Sequence, residues 1–361
     1  MSVHALFSNT KTVLFIFTIC FCSAIYGQNA PSSTVINSPQ VNLKEGSVVS
    51  ELIATDSDRK TSLDDTFSLG KGYLVQVPEN HPTIPTSYSG SFAGVPNNGT
   101  MHIDLKAGYN LVENPYPSAI NVHDFINSNP STTGTLYFLK KNNKDDAATS
   151  YATLTKTAYV SNGAKDEDSF IGYFEPGNES NWFIKMSQGF FVNAATESQL
   201  IFTNSMRRIS RVNPNFENSQ NDAPNKGLYW LNLKNDDGAY SQMAVGYSAE
   251  GTMAEDQGID GRNINLDFYL TSLIDSVDYA IQGRAAFTAT DIVPLSYKVV
   301  TSGNYTIAID HAAGIFNNDS QTIYIKDIVN HKLHNLKTGA YSFYSKAGAF
   351  ADRFEIVNEQ R

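Results

Sequence analysis

The feature that most restricts this chain is a two-residue hydrophobic period that recurs from Val41 to its end. Met101, Ile103 and Leu105 alternate with His102 and Asp104; Tyr305, Ile307 and Ile309 alternate with Asn304, Thr306 and Asp310. Ile323 and Ile325 alternate with Thr322, Tyr324 and Lys326. Successive strand side chains point to opposite faces, so this is the pattern of half-buried β-strands. Turn-forming residues punctuate the runs at Asn97-Asn98-Gly99, Asp236-Asp237-Gly238, Ser302-Gly303 and Asn317-Asn318-Asp319. The Asp-Gly turn between 229–234 and 240–247 predicts a hairpin. One short helix is expected at 122–128, with Asn121 as its cap and Asp124 answering three residues later. No other stretch holds a 3.6-residue period. The expected fold class is all-β: two antiparallel β-sandwich domains in tandem, with very little helix.

The first segment bears on compartment. Lys11 precedes a continuous apolar run from Val13 to Phe21, too short for the roughly 20 residues of a membrane span. Residues 1–27 are therefore expected to be a signal peptide cut after Gly27. Both cysteines, Cys20 and Cys22, would leave with it, and the mature chain would have no disulfide, thiolate nucleophile or thiolate metal ligand. Stability must then come from core size, and roughly 330 residues suffice for two ordinary domains. The expected organisation is linker 28–40, a first sandwich at 41–206, linker 207–226 and a second sandwich at 227–358.

The formal charge of −10 argues against nucleic acid and anionic membrane as partners. Charged residues are 17% of the chain and aromatic ones 12%, a mixture suited to exposed β-surface rather than to a helical bundle or a disordered chain. Partners, if any, are expected to be extracellular or cell-surface glycans or proteins.

The stretch 106–120 contains Gly108-Tyr109-Asn110-Leu111-Val112-Glu113-Asn114-Pro115-Tyr116-Pro117. Pro115 and Pro117 donate no ladder bond and drive Asn114 and Tyr116 to extended geometry, so a strand must end here and feed the helix. Tyr116 is expected either as a rigidly presented ligand platform or as a plug under the strand-to-helix crossing. With this stretch go Phe67 to Tyr73, Pro96 to Gly99, Gln188 to Val192, Phe202 to Arg207, Ala280 to Ala285, Val293 to Leu295, Ile323 to Asp327 and Asp352 to Val357. Together they resemble an adhesin-like module of large secreted Bacteroidetes proteins exported by the type IX (Por) secretion system. The resemblance implies an extracellular or surface location and a structural or adhesive role. The sorting domain that usually follows such a module is expected to be absent, because the chain ends at Arg361.

Catalytic motifs are not found: no Gly-x-Ser-x-Gly elbow, His-Glu-x-x-His or phosphate-cradling glycine loop occurs. His331 and His334 are three apart on a strand, which sets them on opposite faces. Two acidic clusters suit calcium chemically, Asp56 with Asp58 (near Asp64 and Asp65), and Glu255, Asp256 and Asp260 before Gly261. A solvated acidic loop is the alternative for each. Trp230 alternates with Leu228 and is expected in a core; Trp182, beside Asn181, is the expected surface ring for sugar stacking. Arg207, Arg208 and Arg211 are expected to be solvated in the linker or to bridge the domains. The function these readings favour is a non-enzymatic extracellular β module, adhesive or structural, with a carbohydrate-binding protein using exposed aromatics and loop Ca²⁺ as the alternative.

Overall fold

The structure is a computed structural model that describes residues 69–72, 95–140, 150–163, 172–174, 179–208, 226–317 and 321–359. It also gives the backbone of short strands at Val3–Phe7, Leu14–Phe17, Val48–Ser50, Arg59–Lys60, Tyr73–Gln76 and Thr86–Gly90. The expected cleavage site and the acidic pair Asp56 and Asp58 lie outside the described residues, as does Arg211.

The first half contributes β1 (Met101–Leu105), β2 (Gly108–Glu113), β3 (Ala119–Asn121), α1 (Val122–Ser128), β4 (Leu136–Lys140), β5 (Ser150–Leu154), β6 (Tyr159–Val160), β7 (Phe183–Ile184), β8 (Gly189–Ala194), β9 (Ser198–Phe202) and β10 (Arg207–Arg208). As the alternation requires, β1 buries every second residue. Asn121 caps α1 by accepting from the Asp124 amide at 2.9 Å, as expected; the Asp124 carboxylate turns instead to Arg208. The strands form a five-stranded sheet ordered β6-β5-β4-β8-β2, a four-stranded one that includes β7-β3-β10, and the pair β9-β1. These small sheets close around one core. Phe125 of α1 meets Phe190 edge-to-face at 5.4 Å and Phe202 at 5.1 Å. Each such ring contributes roughly 1.5–3 kcal/mol on burial. The two prolines explain the fragmentation, since ladders stop where donors are missing. Arg207 and Arg208 pair with Ile120 and Ala119.

The second half contributes β11 (Gly227–Lys234), β12 (Tyr240–Tyr247), β13 (Gly261–Arg262), β14 (Tyr269–Ile274), β15 (Val277–Arg284), β16 (Ile292–Val299), β17 (Gly303–Gly314), β18 (Tyr324–Asp327), β19 (Lys332–Asn335), β20 (Tyr341–Ser345) and β21 (Gly348–Val357). The expected β11–β12 hairpin forms, with Gly238 at φ +86° in its turn. All eleven strands belong to one sheet, ordered β19-β18-β21-β16-β14-β15-β12-β11-β17-β20 with β13 on β15. This half is thus one rolled, nearly closed sheet rather than two facing ones. Its inner face carries a continuous core that includes Tyr229, Leu231, Tyr297, Phe343 and Phe354.

One pair departs from antiparallel order: β12 and β15 run parallel, Ala244 opposite Ile281. The chain leaves β12 through the long segment 248–268 before β14, and the β14–β15 hairpin then returns β15 in the direction of β12. That hairpin turns at Asp275 and Ser276, both at positive φ (48° and 66°), without a glycine. The crossover segment is what meets the first half.

Candidate functional site: the seam between the two halves

Segment 248–268 is a wedge. Its tip is held from the first half by main-chain bonds: Gly258 N to Thr133 O and Lys156 N to Gly258 O, both 2.9 Å. Gly134 (φ +74°) permits this approach, because a Cβ there would stand 2.5 Å from Gly258 Cα. Farther along, Thr135 Oγ1 donates to Asp260 O at 2.9 Å, Thr157 Oγ1 to Ile259 O at 3.2 Å, and Tyr137 OH to Arg262 O at 3.0 Å. Asn265 closes a reciprocal pair with the Tyr151 backbone, 2.8 and 3.2 Å. Ile264 covers an aromatic patch of Tyr109, Tyr137, Tyr151 and Phe191 on the outer face of the five-stranded sheet.

Beside the wedge the halves meet directly. Trp230, Ala244 and Ile281 from the rolled sheet pack with Ala158 and Val160. The Trp230 indole donates to Tyr159 O at 2.9 Å, and Gln242 Oε1 accepts from Ser161 N at 2.9 Å. Trp230 is buried as its alternation predicts, in the seam rather than inside a single domain. Its outer face stacks on His311, ring centroids 3.9 Å apart. A β-bulge between Trp230 and Leu231 makes Asp310 the extra residue on β17. The Asp310 carboxylate accepts from Asn232 (2.7 Å), Gln242 (3.1 Å) and His311 Nδ1 (2.7 Å), and the His311 bond holds it below the ordinary carboxylate range. Among the described residues no hydroxyl bonds the His311 Nε2.

The acidic loop read as a calcium candidate is the hinge of this wedge. Glu255 forms an ion pair with Arg262 through both carboxylate oxygens. Asp256 Oδ2 accepts from Thr252 N at 2.6 Å. Asp260 is buried, its Oδ1 accepting from Gly283 N at 2.7 Å and its Oδ2 from Asp256 N at 2.6 Å. These carboxylates cap backbone amides and a guanidinium instead of converging, and no group of three metal-ligating side chains occurs among the described residues.

Burial pushes the Asp260 carboxyl up to about 7, against the pull of its two amide donors, while Asp256 and Glu255 add to the rise. A folded-state value above the unfolded 3.8 means the native chain holds a proton the unfolded chain has lost. Stability should therefore fall as pH rises between about 4 and 7, by no more than about 1.4 kcal/mol per unit. Denaturant titrations at pH 5 and pH 7.5 measure the difference, and Asp260→Asn should flatten it.

The ligand-stacking residues are corrected by burial. Trp182, expected on the surface, is fully buried: its carbonyl accepts from Val122 N at 2.9 Å and its ring meets Phe174 edge-on at 6.0 Å. The residues beside it, Ser180 and Asn181, take the solvent. Tyr116 is also fully buried and is the plug, not a platform; its hydroxyl donates to Gly99 O at 2.7 Å. His331 is exposed at a turn with φ +53°, and His334 bonds Gly339 O at 2.9 Å. Arg207 and Arg208 hold groups of the first half and do not bridge the seam. No helix among the described residues is long and apolar enough to cross a membrane. No curated protein and no solved structure matches the chain. One family model spans both halves and the seam between them: matched over residues 38–358, the chain belongs to the family described as Domain of unknown function (DUF8693).

Proposed function

We propose that the chain is a non-enzymatic extracellular β module, structural or adhesive, in which two tandem β units act as one stiff body. The observation that carries this reading is the seam: main-chain bonds, a buried tryptophan and a buried carboxylate all serve the joint. Interfaces between mobile domains are ordinarily more polar and leave few contacts across the boundary. The resemblance to type IX cargo of Bacteroidetes supports export, with residues 1–27 as the leader, and an extracellular or surface location.

Pulling single molecules by their termini tests the mechanical part. A stiff spacer gives one force peak that releases both halves together. Two separate peaks, each of about half the length, would contradict it. Carbohydrate binding is the second reading. With Trp182 and Tyr116 buried, it would have to use hydrogen-bonding groups or another exposed ring such as Tyr344.

A further inference from the structure

Five arginines have described side chains, and four pair with carboxylates: Arg208 with Asp124, Arg262 with Glu255, Arg284 with Asp291 and Arg353 with Asp327. Arg207 has no carboxylate partner among the described residues. Its Nε donates to Ser118 Oγ at 2.9 Å, and its Nη1 to Asn98 Oδ1 at 3.2 Å and Asn204 Oδ1 at 3.3 Å. The guanidinium lies 5.3 Å from the centroid of the Tyr116 ring, which is fixed in turn by its bond to Gly99 and by edge contact with Phe202. Asn204 also accepts from Gly99 N at 3.2 Å, and Asn97 donates to Pro115 O at 2.8 Å. Three distant stretches, 97–99, 114–118 and 204–207, thus converge to hold one cation.

That arrangement is unusual for a chain of net charge −10, where a carboxylate is the cheaper neighbour. Among the described residues every partner of Arg207 is neutral, and its Nη2 carries no bond. Asn98 and Asn204 are exposed and have spent their carbonyl oxygens on the guanidinium, which leaves their amide N–H groups as donors. The site therefore offers a fixed guanidinium whose Nη2 N–H groups are left open, ringed by neutral donors. A guanidinium N–H makes a charge-assisted hydrogen bond to a carboxylate, and amides and a serine hydroxyl suit the hydroxyls of a sugar ring.

We propose that Arg207, with Asn98, Asn204 and Ser118, binds the carboxylate of a uronate residue in an acidic extracellular polysaccharide. Repulsion from the acidic surface is screened beyond about 8 Å at physiological salt, so it weakens a long polyanion more than one docked residue. The site stands apart from the seam and does not depend on its stiffness.

Calorimetric titration of the full chain with galacturonate oligomers and with their methyl esters tests this. The acid form should bind and the ester at least about tenfold more weakly, the size of one charge-assisted hydrogen bond. Asn204→Asp keeps the acceptor for Gly99 N–H and supplies Arg207 with a carboxylate. It should lower affinity about tenfold with no loss of melting temperature; Arg207→Gln should do the same if it folds. Absence of uronate binding at millimolar concentrations overturns the proposal, as does equal binding of the ester or by the Asn204→Asp protein. Binding of inorganic sulfate without uronate binding overturns the sugar assignment.

Discussion

Replacing Asp327 with alanine should destabilise the protein by about 3–5 kcal/mol, the cost of leaving a buried cation without its partner. Asp327 sits on β18 near one end of the rolled sheet and is fully buried. Its carboxylate accepts from Arg353 Nη2 at 3.0 Å, Tyr341 OH at 2.9 Å, Asn330 Nδ2 at 2.8 Å and Asn330 N at 3.0 Å. Tyr341 belongs to β20, at the other end of the sheet order, and Arg353 Nη1 donates to Tyr344 O on the same strand at 2.9 Å. The roll is thus closed by side chains across a gap that no backbone ladder spans. Arg353 lies between Phe343 and Phe354, its guanidinium carbon 4.7 and 4.9 Å from their centroids.

Replacing Asp327 and Arg353 together, by leucine and methionine, should cost far less than the single alanine change, since both charges then leave. Urea denaturation of the three proteins distinguishes these cases. Burial alone would raise the Asp327 carboxyl, but Arg353, Asn330 and Tyr341 together hold it below its ordinary value. Its contribution is therefore present above about pH 4 and lost as pH falls through the lower folded value.

The second large effect is expected at Trp230. Its replacement with alanine removes a buried ring from the seam and leaves the Tyr159 carbonyl without its indole donor, a loss of about 3–5 kcal/mol. The chain has two tryptophans, and the other, Trp182, lies in the core of the first half. In the Trp230→Ala protein, fluorescence reports the first half alone while far-UV dichroism reports all strands. The two denaturation curves should coincide in the wild type and separate in the variant. Coincidence in both would mean that Trp230 does not couple the halves.

Much of this fold is legible residue by residue. The alternation of β1, the Asp-Gly hairpin and the Asn121 cap are local rules, each expressed within a few residues, and each appears where the sequence places it. What periodicity reports is which face of a strand is apolar. It does not report which strand lies alongside. The parallel β12–β15 pair depends on where the crossover segment leads the chain, and the Asp327–Arg353 clamp joins residues 26 apart on different strands.

The acidic loop shows the same limit from another side. Glu255, Asp256 and Asp260 have the composition of a calcium loop, but their partners, Arg262, the Thr252 amide and the Gly283 amide, are set by a docking surface the sequence does not display. Trp182 misleads because its polar neighbours are exposed while it turns inward beneath α1. Arg207 carried a signal that composition hides: the stretches 96–99, 106–120 and 202–207, set apart as motifs, are the ones that meet around it.

In the proposed function the wedge at 248–268 makes two β units into one body. Differential scanning calorimetry of the chain from Gln28 onward tests it most directly, by comparing calorimetric with van't Hoff enthalpy. One transition with the two enthalpies equal is expected, and a second transition only when Trp230 is replaced. Two transitions in the unaltered protein, each with the enthalpy of one half, would contradict it.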